Sequence, residues 1–177
     1  NTAWQIVNDF NDNSCVIVKH ANPCGLASAA SQQESFQKAF DGDQVSAYGG
    51  IVAFNNIVEE NTVKKMKGIF FELIIAPDFS KNALLRLQKR KDLRIISMKD
   101  TKYLNPNFEL KTFAGGYIIQ DSDNKEDLEN NWKTVTKTKP TKQEYDDLKF
   151  AWKAIRHVKS NGIILVKNQS ITGLGTG

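Results

Sequence analysis

Short, unbroken apolar runs separated by stretches of helical periodicity constrain this chain more than any other feature. Cys15-Val16-Ile17-Val18, Gly49 to Phe54 and Phe71 to Ala76 are each four to six residues long and rich in β-branched or aromatic side chains. Strands with one wet face alternate apolar and polar residues, whereas unbroken runs of this length suit strands covered on both faces. Between them lie stretches with helical spacing. Trp4 to Phe10 carries Trp4, Ile6, Val7 and Phe10 near one face, and Ser31-Gln32-Gln33-Glu34 has capping-box spacing ahead of Phe36, Ala39 and Phe40. Val58 to Lys67 is closed by Gly68, and Ser80 to Lys89 presents Leu84, Leu85 and Leu87 before a short strand at Leu93 to Ser97. Strand and helix alternate, which predicts an α/β domain.

Further along, Gly115-Gly116 leads into a strand at Tyr117-Ile118-Ile119. Residues 121–139 are polar, with Leu128, Trp132 and Val135 among their few apolar positions, and read as a connector. Pro140 then precedes a second capping box, Thr141-Lys142-Gln143-Glu144. The helix it opens carries Leu148, Ala151, Trp152, Ile155 and Val158 at helical spacing and ends at Ser160-Asn161-Gly162, after which Ile163 to Val166 begins a strand. The closing Gly173-Leu174-Gly175-Thr176-Gly177 reads as a glycine-rich loop and as a boundary inside a longer protein.

Composition narrows the function classes. Only Cys15 and Cys24 are available for disulfides, and only His20 and His157 could join them on zinc. A secreted disulfide scaffold or a structural zinc site needs more, so no metal is expected, and a reducing cytoplasm is the natural compartment. No apolar run approaches the roughly 20 residues that span a bilayer, so no membrane association is expected. The net charge of +4 suits an anionic small ligand. The densest basic run, Lys89-Arg90-Lys91, is broken by Asp92, which argues against a nucleic-acid stripe.

The segment Val18-Lys19-His20-Ala21-Asn22-Pro23-Cys24-Gly25 carries the chemistry. In a regular strand, adjacent Lys and His point to opposite faces and cannot serve one ligand. A break removes that limit: Pro23 pushes Asn22 toward extended backbone and Gly25 permits a sharp turn. A strand ending near Lys19 would then present both groups at its C-terminal edge, where α/β sheets bind ligands. The pattern alone equally fits a solvated surface pair. Cys24, four residues after His20, fits either a thiol nucleophile or a small half-buried residue.

The stretch Lys19 to Gly25 resembles the Lys-His signature of the enzymes that formylate AICAR (5-aminoimidazole-4-carboxamide ribonucleotide). Further stretches resemble the same family in the same order: Ser46-Ala47-Tyr48-Gly49-Gly50-Ile51-Val52-Ala53-Phe54, Glu72 to Pro77, Leu148 to Lys153 running on to Val158-Lys159-Ser160-Asn161, and the terminal glycine run. This resemblance implies formyl transfer from 10-formyltetrahydrofolate to the 5-amino group of AICAR. His20 would be the base, since histidine is the side chain that ordinarily titrates nearest neutral pH. Lys19 would stabilise the oxyanion or assist the proton transfer.

By the same resemblance Asn161 would join the formyl-transfer site, although Asn before Gly at a helix end is also a common cap. Gly49 would let backbone approach the nucleotide, and otherwise marks close packing; Glu72 would bind substrate, and otherwise is a solvated strand end. Cys24 would be structural, and the folate a co-substrate, with no bound cofactor.

The implied fold is a cytidine-deaminase-like three-layer domain with a mixed sheet. Residues 1–125 would form most of it, 126–140 a connector, and 141–177 the start of a second similar subdomain. The full-length protein would be a homodimer that also carries an IMP cyclohydrolase domain. An Arg-Tyr-Gly phosphate-binding stretch and an arginine beyond the glycine run would lie outside this sequence. The isolated chain is therefore expected to bind AICAR weakly without turnover. The alternatives are a non-catalytic nucleotide-binding or assembly module, and an acyltransferase or hydrolase that uses Cys24.

Overall fold

The computed structural model describes residues 1–99, 107–123 and 131–177. Two compact units are distinguished: Asn1–Thr101 with Pro140–Gly177, and Lys102–Lys139. The larger unit is built on a five-stranded mixed sheet, the α/β arrangement that the alternating runs predict. In chain order its first half runs α1 (Thr2–Asn8), β1 (Asn13–Lys19), β2 (Asn22–Ala29), α2 (Gln32–Gly42), α3 (Gln44–Ala47) and β3 (Gly50–Phe54). It continues with α4 (Glu60–Lys65), β4 (Phe71–Ala76), α5 (Lys81–Leu87) and β5 (Arg94–Ser97). The strand order is β2-β1-β3-β4-β5. β1 is antiparallel to both β2 and β3, and β3, β4 and β5 are parallel.

Cys15, Ile17, Val52, Phe54, Ile74 and Ala76 turn one way into the main core, with Phe36 and Ala39 of α2, Val63 of α4 and Ala83 and Leu87 of α5. Phe36 sits at its centre, its ring 6.3 Å from that of Phe54 and 6.1 Å from that of Phe71. Val16, Val18 and Ala53 alternate to the opposite face, where α1 packs on β1 and β3 and buries Ile6 and Val7. Both faces are covered, which is why these strands carry no polar alternation.

The strand ends at Lys19 and Asn22 is extended, as expected, but the sharp turn is not made at Gly25. Asn22 pairs with Lys19 across a two-residue hairpin, leaving His20 and Ala21 as the turn, with φ of 50° and 64°. Positive φ at both central residues is the requirement of a type I′ turn, whose twist matches the flanking strands. Pro23 and Gly25 lie inside β2 instead. The register slips between Ile17 and Val18, so Gly25 faces Ile17, Pro23 faces Val18 and Cys24 bulges between them. A bulged strand at the end of the sheet tolerates a proline that cannot donate. Gly25 serves close packing, since a Cβ there would overlap the Ala39 carbonyl oxygen of α2.

The C-terminal part contains α6 (Lys142–Ile155) and a hairpin of β8 (Ile163–Val166) and β9 (Ile171–Gly175), so the glycine-rich end read as a loop is largely strand. Thr141 and Glu144 form the full capping box, whereas at α2 Ser31 accepts from Glu34 N while the Glu34 carboxylate pairs with Lys38 at 2.8 Å. The ring of Phe150 of α6 packs at a tilt 4.9 Å from that of Phe10, and His157 meets Asp9 at 2.7 Å. Asn168 and Gln169 form a second turn with positive φ, and the Asp147 carboxylate accepts from both of their backbone N–H groups at 2.9 and 2.7 Å. Ser28 N donates to Gln169 O at 3.0 Å, and Ala27 bridges Ser170, so the hairpin is docked against β2. These contacts draw the segment from Thr141 back onto the first sheet.

The smaller unit holds a further hairpin, β6 (Phe108–Phe113) and β7 (Gly116–Asp121), closed at Gly115 with φ of 88°. Only β7 was expected. Leu110 faces Ile119 across the pair, which puts Phe108, Leu110, Tyr117 and Ile119 on one exposed face. Residues 126–130 of the expected connector, Leu128 among them, fall outside the described residues.

Candidate functional site

The turn of the β1–β2 hairpin stands at the edge of a cleft of about 530 Å³. Three pieces of chain wall it: the hairpin tip with Lys19, His20, Asn22 and Cys24, the α2–α3 junction, and β9 with its following residues. The α2–α3 junction brings Gly42, Asp43 and Ser46, and β9 brings Ile171, Gly173 and Leu174, followed by Thr176. Gly42 allows the last two pieces to meet, because a Cβ there would come within 2.6 Å of Ile171 O. The docking of the C-terminal hairpin on β2 is thus what completes the cleft.

Lys19 and His20 line the same cleft although they are adjacent in sequence. The left-handed turn resolves the alternation problem by rotating the backbone at His20. A left-handed conformation costs an L residue about 1–2 kcal/mol, and His is among the non-glycine types that adopt it more often. Lys19 is half-buried and its Nζ donates to Tyr48 O at 2.8 Å. Gly49 is buried beside it with φ of 68°, its N–H donating to Phe70 O at 2.9 Å, and a Cβ there would stand 2.9 Å from Lys19 Nζ. The structure therefore brings Lys19 and His20 to one cleft and sets Gly49 beside Lys19. Because β1 runs antiparallel to β3, this is the C-terminal end of β1 and the N-terminal end of β3 and β4.

Glu72 lies on that same end of the sheet, near the start of β4, where it is exposed and does not line the cleft. Asn161 is exposed after α6 and also stays off the wall. It is one step removed: a Cβ on Gly177 would abut Asn161 N, and the preceding Thr176 lines the cleft.

Asp43 was not singled out from the sequence, although an Asp three residues before Ser46 has the spacing of a helix cap. Its Oδ1 accepts from Ser46 N at 2.9 Å. Hydrogen bonds from the Ser46 side chain and backbone hold the Asp43 carboxyl below its ordinary value, so the cleft carries a carboxylate as well as a lysine. Cys24 answers the nucleophile question. Burial first, and then the Asp43 charge, push its thiol up to about 11, and Sγ donates to Ile17 O at 3.4 Å. A thiol kept protonated at neutral pH is a poor nucleophile. Among the described residues no three His, Cys, Asp or Glu side chains cluster to hold a metal, and no helix is long and apolar enough to cross a membrane.

Fold and site together define an α/β protein with a lysine–histidine hairpin tip over a cleft closed by its own C-terminal hairpin. The family described as the AICARFT/IMPCHase bienzyme matches residues 1–177. Relatives called bifunctional purine biosynthesis protein PurH are similar along almost the whole chain. That of Prochlorococcus marinus is 47% identical over 93% of this chain, and that of Fusobacterium nucleatum 46% over 99%. That of Caldicellulosiruptor saccharolyticus is 40% identical over 99% of the chain. The chain belongs to the AICARFT/IMPCHase bienzyme family. It spans 32–34% of the length of these relatives.

Proposed function

We propose that the chain supplies part of the site that transfers a formyl group from 10-formyltetrahydrofolate to the 5-amino group of AICAR, giving FAICAR on the route to IMP. The observation that carries this reading is the hairpin tip, where Lys19 and His20 line one cleft despite being neighbours in sequence. The amine is a weak nucleophile because its lone pair is delocalised into the imidazole and carboxamide. In the proposed step its nitrogen attacks the formyl carbon while the His20 imidazole takes the amine proton. The Lys19 ammonium, steered by Tyr48 O, donates to the formyl oxygen as it becomes an oxyanion. Collapse of the tetrahedral adduct expels the folate nitrogen, which receives the proton back from His20.

Gly49 would allow the nucleotide to approach the backbone next to Lys19. Asn161 would reach the formyl oxygen from the rim, and Glu72 would bind substrate from the exposed end of β4. The folate is a co-substrate and no bound cofactor is assigned. The proposal includes a cytidine-deaminase-like fold, a homodimeric full-length protein and a cytoplasmic location. IMP cyclohydrolase activity is assigned to parts of the protein outside this chain, and the chain alone is expected to bind AICAR weakly without turnover.

The test is His20→Ala in the full-length protein, with FAICAR formation and AICAR binding measured separately. Loss of a general base lowers turnover by about 10²–10⁴-fold, with AICAR affinity largely kept. Undiminished turnover would refute the base role and favour a non-catalytic nucleotide-binding or assembly module.

A further inference from the structure

The end of the sheet that holds Lys19 and Gly49 also gathers unpaired cations. β1 ends there, and β3, β4 and β5, which are parallel, begin there. The turns that lead into β4 and β5 are therefore neighbours on one edge, and Arg90 ties them together. Half-buried, it donates to Ile69 O at 3.1 Å and to Met66 O. Around it Lys67, Lys89, Lys91 and Arg94 are exposed and form no ion pair among the described residues. Lys64, Lys65 and Arg86 stand in the last turns of α4 and α5, where a helix dipole favours positive charge, and Glu60 pairs with Lys64 and Arg86. The four exposed cations lie past both helices and have neither role. Two carboxylates, Glu72 and Asp92, share the edge with them. The edge runs into the proposed site. Phe70 follows the Met66–Ile69 turn and its O accepts from Gly49 N at 2.9 Å, and a Cβ on Gly49 would stand 3.6 Å from the Phe70 ring and 2.9 Å from Lys19 Nζ. Neighbouring strands lie about 4.8 Å apart, which sets β5 about 10 Å from β3.

We infer that this edge binds the acidic tail of the folate co-substrate, with Lys67, Lys89, Lys91 and Arg94 as partners of its glutamyl carboxylates. This rests on the formyl-transfer reading and extends it from the reacting end of the folate to its far end. The nitrogen that carries the formyl group is joined through one benzoyl ring to glutamate, and each further γ-linked glutamate adds a carboxylate. A formyl group held at Lys19 thus leaves the tail one ring away, facing an edge that begins at Phe70. Cations spread along an edge suit a flexible row of carboxylates, each exposed pair contributing little and several together adding up. A nucleic-acid backbone suits the edge less, because Glu72 and Asp92 would face its phosphates.

The experiment compares wild type with the triple variants Lys67→Gln/Lys89→Gln/Lys91→Gln and Lys67→Glu/Lys89→Glu/Lys91→Glu in the full-length protein. Calorimetry reads the affinity for 10-formyltetrahydrofolate carrying one glutamate or five, with AICAR affinity as the control. The glutamine variant is expected to weaken the pentaglutamate about tenfold and the monoglutamate less, and the glutamate variant to weaken the pentaglutamate further. The difference from wild type should shrink between about 0.1 M and 1 M salt, as the screening length falls from about 10 Å to about 3 Å. Wild-type affinity in both variants, a loss no larger for the pentaglutamate than for the monoglutamate, or an equal loss for AICAR would each overturn the inference. Single-stranded RNA that binds the wild-type edge and is not displaced by the pentaglutamate would overturn it in favour of a nucleic acid. If wild type forms FAICAR but the variants bind both folates normally, the tail inference falls alone. If wild type forms no FAICAR while the variants lose the pentaglutamate selectively, the formyl-transfer reading falls and the tail site stands. A wild-type protein that binds neither folate overturns both.

Discussion

Replacing Gly49 with alanine separates what the fold needs at that position from what the site needs. The backbone there has φ of 68°, in the left-handed region, which costs an L residue about 1–2 kcal/mol. Alanine recovers about 0.4–1 kcal/mol by restricting the unfolded chain, so the net loss of stability should be about 1 kcal/mol. The added methyl meets Phe70 ring carbons at 3.6 and 3.7 Å, which is ordinary contact, and adds nothing to that sum. Its one close neighbour is Lys19 Nζ at 2.9 Å, the far end of a flexible side chain. The ammonium yields at little cost in stability, but in yielding it leaves its 2.8 Å contact with Tyr48 O. A charge aimed at a developing oxyanion loses effect steeply with position, and a misplacement of about 1 Å costs roughly 10²-fold. Gly49→Ala in the full-length protein should therefore lower denaturant stability by about 1 kcal/mol and FAICAR formation by about 10²-fold. The double variant Gly49→Ala/Lys19→Ala decides the route. If Gly49 acts through Lys19, the activity losses will not multiply, whereas the stability losses will add. Multiplicative activity losses, a stability loss above about 3 kcal/mol, or full activity in Gly49→Ala would refute the reasoning.

Cys24 should behave as a half-buried thiol held in its neutral form. Its pKa lies at about 11, above the ordinary 9.0, so the neutral form is favoured in the folded state and its contribution to stability is lost as pH rises from 9.0 through about 11. Alkylation of Cys24 should be slow at pH 8 and rise toward pH 11, and Cys24→Ser should leave turnover within a few fold; abolished turnover would restore the thiol-nucleophile alternative. Gly25→Ala should destabilise far more than Gly49→Ala, because its methyl would overlap the Ala39 carbonyl oxygen and stand 2.8 Å from the carbonyl carbon, and backbone cannot swing aside. Overpacking of this kind costs about 1–3 kcal/mol and sometimes more, and a urea midpoint unchanged from wild type would show that α2 shifts freely.

How much of this was legible in the sequence follows from how local each signal is. The runs at Cys15–Val18 and Phe71–Ala76 could be read because burial is written into almost every position, the exposed Glu72 near the start of β4 excepted. The cap at Thr141 could be read because its partner lies three residues away. What escaped is what depends on geometry between distant segments. β2 escaped because its composition, Asn22-Pro23-Cys24-Gly25-Leu26-Ala27-Ser28-Ala29, is that of a turn followed by small residues. β9 escaped because glycines at positions 173 and 175 mask a strand held by pairing with β8.

The hairpin turns at His20-Ala21 and Asn168-Gln169 share one lesson, and it bears on the site. Two-residue hairpins announce themselves in sequence when Asn-Gly or Asp-Gly meets the demand for positive φ. Neither turn uses glycine, so neither announces itself, and each needs something else to hold it. At Asn168-Gln169 the holder is visible: the Asp147 carboxylate takes both backbone N–H groups. At His20-Ala21 the strand pairing from Asn13↔Ala29 to Lys19↔Asn22 must hold the turn. Glycine at position 20 would relieve the backbone and remove the imidazole, whereas strain is tolerated where a side chain is wanted in one place. The same strain that hid the turn from sequence reading is what carries Lys19 and His20 to one cleft, so the position hardest to read locally is the one on which the proposed chemistry depends.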